Sequence, residues 1–282
     1  MLNLKEKPYK EGLVLGKFYP FTLGHKYLIQ TALDQSEMVT VLCCSLPTEN
    51  IPGRHRYSWI LEEFWTDIKT KKLKLVHISK ILPQYPYEDI NFWSIWSELI
   101  LKYCTPNVVF TSEKYGDKLA DILKCQHICV DINRQLYKIS GTKIRENSQK
   151  NLKFLSIAPK FKYVLKVAIM GCESTGKTTM SKKLAEDLNA TLVEEYGRTL
   201  YQERLDSNTS FEYHDISLIA GGHLGLEDLR HRENDRNIII SDTSLVATEI
   251  FSYLYFGKCP SWIIEYNIHR KYDLTILLKP QL

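Results

Sequence analysis

Apolar residues along the first half of the chain follow two different spacings. Short apolar runs rich in β-branched residues predict strands at 12–18, 38–44, 74–78, 107–111 and 127–132. Between these runs, apolar residues at helical spacing predict helices over 27–32, 57–68 and 92–103. Strands and helices that alternate in this way build a parallel sheet covered on both faces. We therefore predict an α/β unit of Rossmann-like form with a five-stranded parallel sheet.

A second strand–loop–helix pattern opens further along the chain, with an apolar run at 163–170 and later strands predicted at 191–194, 237–241 and 274–278. The stretch before it, 147–162, is polar and basic and contains Pro159, which is typical of a domain boundary. We therefore predict two domains, residues 1–150 and residues 151–282, both of the α/β class.

Composition narrows the function classes. A length of 282 residues with 44% apolar content can fill two cores, and a formal charge of +4 suits small anions but is too weak and dispersed to indicate nucleic acid. Seven cysteines without a C-x-x-C pair favour reduced thiols over disulfides or zinc. The polar amino terminus resembles no signal peptide, and no apolar run approaches the about 20 residues of a membrane span. We expect a soluble cytoplasmic protein with small-molecule partners, without nucleic-acid or membrane partners, and the sequence leaves a homo-oligomer open.

The first candidate site begins where the first predicted strand ends. Residues 16–25 read Gly-Lys-Phe-Tyr-Pro-Phe-Thr-Leu-Gly-His and open a helix, whose N-terminus offers N–H groups and a dipole to an anion. Gly16 would let the backbone approach a nucleotide, and His25 lies in the predicted first helical turn. Taken alone, this string is also compatible with an ordinary turn between a strand and a helix.

A second string follows the fifth predicted strand, where residues 139–145 read Ile-Ser-Gly-Thr-Lys-Ile-Arg. The hydroxyls of Ser140 and Thr142 and the Arg145 guanidinium, one turn into a helix, are suited to a terminal phosphate. A plain helix cap would also use such hydroxyls. The two strings at opposite ends of one five-stranded unit together predict a phosphate site.

These two strings resemble the [HT]-x-G-H and I-S-x-T-x-x-R signatures of the nucleotidylyltransferase superfamily. The resemblance implies adenylyl transfer from ATP to a phosphate, which is already anionic (second pKa about 6) and needs no general base. The site must then neutralise charge that grows on the transferred phosphate. Candidate catalytic residues are Lys17, Thr22, His25 and Arg145, and candidate nucleotide-binding residues are Gly16, Phe18, Gly24, Ser140, Thr142 and Lys143.

The second candidate site is a phosphate loop. Residues 171–178 read Gly-Cys-Glu-Ser-Thr-Gly-Lys-Thr and match G-x-x-x-x-G-K-[ST], in which N–H groups and the Lys cradle phosphates while the last hydroxyl reaches Mg²⁺. Lys177 is therefore a candidate catalytic residue, and Thr178 and Asp242, at the end of a later strand, are candidate Mg²⁺ ligands. Further nucleotide-binding candidates are Gly171, Glu173, Ser174, Thr175, Gly176, Thr178 and Thr179.

A hydroxyl acceptor at this second site would need a carboxylate base, and Glu195 and Asp242 are the candidates. Glu195 belongs to the string Glu-Glu-Tyr-Gly-Arg at 194–198, whose Arg198 would contact the substrate. Taken alone, that string is also compatible with a plain surface helix.

The combination of these motifs resembles one family, the NadR-type bifunctional nicotinamide mononucleotide adenylyltransferases and ribosylnicotinamide kinases. The resemblance extends over about 11–279 and includes an R-x-x-W pattern at Arg56 and Trp59 and further segments at 92–98, 130–134, 222–223 and 272–279. It implies ATP along 16–25 and 140–145, with nicotinamide mononucleotide near Lys17 and Arg56. The cationic nicotinamide would stack on Trp59 or Trp93, each of which could equally be a core residue.

Three departures from the family qualify these expectations. Thr22 stands where the family usually has His, although its hydroxyl can still bind a phosphate. The amino terminus leaves no room for a helix-turn-helix segment. The chain ends at Leu282, before an Arg-bearing lid, a last strand and a closing helix, so we expect an incomplete P-loop kinase-like domain with weak or missing kinase activity.

Two alternatives stay open on the sequence alone. The second domain could be a non-catalytic nucleotide sensor or remnant, which would need the phosphate loop at 171–178 but no lid residues. The first domain could be a transferase for another acceptor, such as a phosphopantetheine or a choline phosphate. The Arg56–Trp59 pair and the attached kinase-like half argue against this second alternative.

Overall fold

The computed structural model describes residues 6–234 and 236–280. The chain divides into two compact units, with the boundary between Pro159 and Lys160 instead of after residue 150. The segment that follows residue 150 stays with the first unit because Leu152 and Leu155 are buried, and Leu155 forms an isolated antiparallel bridge with Thr22. Burial of an apolar pair outweighs the polar composition from which the earlier boundary was predicted.

The first unit alternates strands and helices. Its strands are β1 (Tyr9–Gly16), β2 (Ser36–Ser45), β3 (Leu73–Ser79), β4 (Val108–Thr111) and β5 (Gln126–Cys129). Its helices are α1 (Leu23–Gln35), α2 (Gly53–Glu63), α3 (Trp65–Lys69), α4 (Phe92–Leu101), α5 (Tyr115–Leu123), α6 (Gly141–Glu146) and α7 (Ser148–Asn151), and α8 (Ile157–Tyr163) crosses the boundary.

The first sheet is five-stranded and entirely parallel, in the order β3-β2-β1-β4-β5, which confirms the prediction. The order reverses at β1, because β2 follows on one side and β4 lies on the other. In such sheets ligands bind at the carboxyl ends of the strands beside this switch point. Gly16 ends β1 and Thr111 ends β4, so both strand ends open into that crevice.

Two predicted strands end earlier than expected, and backbone conformation explains why. Phe18 has φ 49° and Asp131 has φ 52°, in the left-handed region that an extended strand cannot include. Strand β1 therefore ends at Gly16, and β5 ends at Cys129. The helix predicted over 57–68 is split into α2 and α3 at Phe64, a buried residue outside helical geometry.

The second unit holds a four-stranded parallel sheet in the order β7-β8-β6-β9, with β6 inside the sheet. Its strands are β6 (Leu165–Gly171), β7 (Thr191–Val193), β8 (Ile238–Asp242) and β9 (Leu274–Leu278). Its helices are α9 (Lys177–Asp187), α10 (Tyr196–Asp206), α11 (Tyr213–Glu233), α12 (Leu245–Phe256) and α13 (Ser261–His269). Along the described ranges, none of the helices is long and apolar enough to cross a membrane.

Candidate functional site

A cavity of about 610 Å³ opens at the carboxyl end of the first sheet, and both motif strings line it. The strings are far apart in sequence. One follows β1 and the other begins α6, and both segments lie beside the carboxyl end of the sheet. Of the residues predicted for this site, the cavity is lined by Gly16, Lys17, Phe18, Thr22, Gly24, His25, Trp93, Ser140, Thr142 and Arg145.

His25 is fixed at the start of α1 by a capping box with Thr22. The Thr22 hydroxyl accepts from the His25 backbone N–H at 3.3 Å, and the Thr22 backbone N–H donates to His25 Nδ1 at 3.1 Å. The imidazole also packs between Phe18 and Phe21, at ring distances of 5.2 Å and 6.2 Å. Since Nδ1 accepts a hydrogen bond, the proton of the neutral ring lies on Nε2.

Burial keeps this ring neutral. Desolvation and the positive charge of Arg134 lower the pKa of His25 to about 4, against the opposing effect of a hydrogen bond to the Pro20 backbone. His25 is therefore neutral and a poor proton acceptor at physiological pH, and its one N–H proton is the donor available to the Pro20 carbonyl or to a ligand.

Arg145 is held over Tyr19 at the edge of this cavity. Its guanidinium lies 4.3 Å from the Tyr19 ring centroid, donates to the Tyr19 carbonyl and contacts the Thr142 hydroxyl at 3.0 Å. Gly141 is required at this point because a Cβ there would collide with the same Tyr19 carbonyl oxygen. The contact joins the loop after β1 to the start of α6.

Further charged side chains line the cavity beside the motif residues. Lys17 Nζ lies 3.2 Å from Glu49 Oε1, and Glu49 itself faces the cavity. Arg134 also lines it, from an irregular segment where Arg134 has φ 50°. Glu49 belongs to no motif, and Arg134 was noted only as part of a segment that resembles the family. Periodicity carries no signal for either residue because both lie outside helices and strands.

Three residues that were predicted to contact the ligand at this site do not line the cavity. Arg56 is fully buried in α2, and its Nη1 donates to the Lys17 carbonyl at 2.9 Å. Trp59, one turn later, is 8% exposed and packs in the core. Lys143 is exposed in α6 but does not line the cavity. Arg56 and Trp59 share a helix face because they are three residues apart, and that face is the buried one.

An aromatic wall does line the cavity, but it comes from α4 and the loop before it. Its members are Tyr85, Phe92, Trp93 and Trp96. Trp96 is buried and its indole N–H donates to the Pro83 carbonyl at 2.9 Å, whereas Trp93 is half-buried with Lys118 Nζ 5.3 Å from its ring. Trp93 therefore combines a position on the cavity wall with a ring that has a cationic side chain beside it.

In the second unit, a cavity of about 800 Å³ contains part of the phosphate loop and a set of aromatic side chains. Predicted site residues that line it are Glu173, Ser174, Lys177, Glu195 and Arg198. Aromatic residues on its wall are Tyr201, Phe211, Phe251, Tyr255 and Phe256. No motif predicts this wall, because its residues come from α10, α12 and the segment before α11, outside the motif strings.

The phosphate loop has the backbone that its pattern requires. Gly176 has φ 86° at the N-cap of α9, a conformation that favours glycine, and Lys177 Nζ donates to the Cys172 carbonyl at 2.9 Å. Thr178 Oγ1 is buried and has no hydrogen-bond partner among the described residues. A buried hydroxyl without a partner is costly unless a ligand completes it, so this oxygen suits a cation or phosphate.

Asp242 and Glu195 occupy different positions at this site. Asp242 ends β8, is 2% exposed, accepts from Ser181 Oγ at 3.4 Å and does not line the cavity. Glu195 directly precedes α10, lines the cavity and accepts from Arg198 Nη2 at 2.8 Å. Of the two predicted bases, Glu195 is the one exposed to an acceptor. Thr179 is exposed on α9 and does not line the cavity.

Two parallel α/β units, each with an anion-binding loop after an interior strand, define a two-domain nucleotide-binding protein of nucleotidyltransferase and P-loop type. Comparison with known families agrees. Residues 12–82 match the citrate lyase ligase C-terminal domain, and residues 166–282 match an AAA domain.

Full-length relatives identify the family. The chain is 30% identical over 289 aligned residues to the trifunctional NAD biosynthesis/regulator protein NadR of Escherichia coli K12, covering 95% of this chain and 68% of the relative. The chain therefore belongs to the NadR family, which confirms the resemblance carried by its motifs. A crystal structure of a NadR protein in complex with NR has a TM-score of 0.69 at 22% identity, covering 96% of this chain and 79% of that one. Another, in complex with NAD and AMP-PNP, has a TM-score of 0.68 at 22% identity, covering 96% and 81%. Both structures share the fold.

Proposed function

We propose that the first unit transfers the adenylyl group of ATP to nicotinamide mononucleotide, forming NAD and releasing pyrophosphate. The observation that supports this most strongly is the meeting of both motif strings at one cavity, with Lys17, Arg134 and Arg145 on its wall. Membership of the NadR family supports the choice of acceptor, because a curated relative is described as an NAD biosynthesis protein.

The reaction forms a bond between an acceptor phosphate oxygen and the α-phosphorus, and breaks the bond from that phosphorus to the pyrophosphate oxygen. The acceptor phosphate is already anionic, so no residue needs to remove a proton. The protein then contributes positioning and neutralisation of the growing charge. In this scheme His25 donates its Nε2 proton in a hydrogen bond, while Lys17 and Arg145 supply full charges.

In this proposal the aromatic wall binds the nicotinamide ring of the acceptor. A nicotinamide ring attached to ribose is cationic, and an indole face attracts such a ring. Trp93 is half-buried on the cavity wall and has Lys118 beside its ring, so it suits this role. Trp59 is the matched packing residue, since it is buried elsewhere in the same unit.

A product assay tests the proposal. The purified chain is incubated with ATP, Mg²⁺ and nicotinamide mononucleotide, and NAD and pyrophosphate are quantified together. We expect equal amounts of both. Parallel incubations with phosphopantetheine and choline phosphate test the other acceptors. Product from one of those acceptors, without NAD, would refute the assignment.

We propose, as a second activity, that the second unit phosphorylates ribosylnicotinamide at a hydroxyl group with ATP. Support comes from the unpartnered Thr178 hydroxyl and from Lys177 and Glu195 on one cavity wall. Thr178 and Asp242 have the oxygen donors that Mg²⁺ prefers and would hold it, and the ion would neutralise phosphate charge. Glu195 would accept the hydroxyl proton.

The alternative for this unit is nucleotide binding without catalysis, and one experiment separates the two. The number of bound ATP molecules and the formation of nicotinamide mononucleotide and NAD from the riboside are measured on the same preparation, with Lys177→Ala as the control. Two bound ATP molecules in the parent and one in the variant, with product from the parent alone, support the kinase. The same loss of one bound ATP, without product from either protein, supports the sensor.

A further inference from the structure

Lys17 is part of a three-residue charge cluster that its motif does not include. Glu49 Oε1 lies 3.2 Å from Lys17 Nζ, and Glu49 Oε2 accepts from Arg56 Nη2 at 2.5 Å and from the Leu46 backbone N–H at 2.9 Å. Arg56 also donates from Nη1 to the Lys17 carbonyl at 2.9 Å. One carboxylate therefore contacts both cations, and one cation holds the backbone of the other.

The three side chains differ sharply in exposure. Lys17 is 42% exposed, Glu49 is 11% exposed and Arg56 is completely buried. Lys17 and Glu49 line the cavity, and Arg56 lies behind them. A ligand in the cavity can therefore reach Lys17 directly, while Arg56 can act on that ligand through Glu49 and Lys17.

The sign of the charge at this wall depends on all three residues. A carboxylate beside Lys17 would by itself cancel the charge that a phosphate needs. Arg56 adds the second cation, so the cluster keeps a net charge of +1. Burial alone would raise the pKa of the Glu49 carboxyl, but hydrogen bonds from Arg56 and the Leu46 N–H hold that pKa below its usual value. Glu49 therefore remains an anion, and its charge has to be balanced.

We infer that Glu49 and Arg56 are positioning residues for Lys17: Glu49 fixes the ammonium at the phosphate-binding wall, and Arg56 offsets the carboxylate so that the wall stays cationic. Arg56 thus serves the anion site from the core and makes no contact with the acceptor. The inference rests on the proposed function only in taking the ligand of this wall to be a phosphate.

Direct binding of inorganic pyrophosphate tests the charge balance independently of turnover. Calorimetric titrations are made in a common Lys177→Ala background, which weakens the second phosphate site. Arg56→Met should weaken pyrophosphate binding by about tenfold, within the range of coupling energies for groups in contact. Glu49→Gln should strengthen it, and the double variant should return to within about threefold of the parent.

Matched controls separate this role from simple packing. Glu63 forms an ion pair with Lys26 at 2.6 Å and is 13% exposed, close to the value for Glu49, but lies outside the cavity wall. Glu63→Gln should leave pyrophosphate affinity unchanged, and Arg56→Lys should keep most of it. A double variant as weak as Arg56→Met, or weaker, would overturn the inference.

Two further outcomes keep the test decisive. If Arg56→Met does not fold, as judged by circular dichroism, Glu49→Gln decides, and affinity equal to or below that of the parent refutes the charge balance. In the adenylyl-transfer assay Glu49→Gln should lower kcat without raising KM, because Lys17 is less well fixed. A parent that makes no NAD but shows the expected order of pyrophosphate affinities would refute the proposed reaction and leave the inference standing.

Discussion

Replacement of His25 separates chemistry from stability at the first cavity. His25→Ala removes the Nε2 donor, and loss of one donor aimed at developing charge costs about 3 kcal/mol, or about a hundredfold in kcat. The same change removes half of the capping box with Thr22, worth about 1 kcal/mol of stability. For a domain of this size that corresponds to a decrease in Tm of about 2–4 °C.

Asn147→Ala is the control because it removes another helix cap of the same unit, the Asn147 Oδ1 that accepts from the Lys150 backbone N–H at 3.1 Å, and Asn147 does not line the cavity. It should lower Tm by a similar amount and leave kcat within about threefold of the parent. The assay measures NAD formation at saturating ATP and nicotinamide mononucleotide, with separate KM values and a melting curve for each variant. If His25→Ala keeps full kcat and only loses ATP affinity, or if Asn147→Ala loses as much kcat, the donor role is refuted.

The remaining predictions each concern a single substitution and the quantity that it should change. Trp93→Leu should raise KM for nicotinamide mononucleotide about tenfold, because a cation–π contact is lost. Trp59→Leu should lower Tm and leave KM unchanged. Equal KM values in the two variants would show that the aromatic wall does not recognise the acceptor. Gly141→Ala should displace Tyr19 and Arg145 and lower kcat/KM in the NAD assay, because its Cβ meets the Tyr19 carbonyl. Thr178→Val should abolish the Mg²⁺ dependence of ATP binding in calorimetry at the second site. Burial, together with the charge of Lys166, lowers the pKa of His231 to about 4 from 6.5. The unfolded chain then binds more protons between these values, so stability should fall by up to ~3 kcal/mol as pH drops through this window; urea unfolding of His231→Phe should show a weaker decrease.

The sequence correctly predicted the parts of the fold that depend on residues close together along the chain. The nine strands of the described residues were located because each lies in a short, largely apolar run. The carboxyl ends of all strands in a parallel sheet lie at one edge, so the two strings at 16–25 and 139–145 were expected at the same edge, although β4 separates β1 from β5. Strand ends were less accurate, since positive φ at Phe18 and Asp131 depends on the turn that follows and not on side-chain hydrophobicity.

The sequence did not predict which side chains are buried and which face the cavity. The spacing of Arg56 and Trp59 correctly implies one shared helix face, but it does not tell whether that face meets a ligand or the core. The structure shows both residues buried. A fully buried arginine is unusual unless it is paired, and its partner, Glu49, lies in an irregular segment before the helix. No local pattern could have joined the two.

The two sites also differ in how their positive charge is assembled. This difference explains why the second site was easier to predict from the sequence. The second site relies on consecutive residues, in which loop N–H groups and Lys177 face the same space, so a contiguous pattern describes it. The first site gathers Lys17, Arg134 and Arg145 from three separate segments and includes Glu49 among them. An anion site that contains a carboxylate works only if further cations outweigh it. The balance of such a site is therefore a property of the folded unit, and substitution of a buried residue such as Arg56 can change ligand affinity without any contact with the ligand.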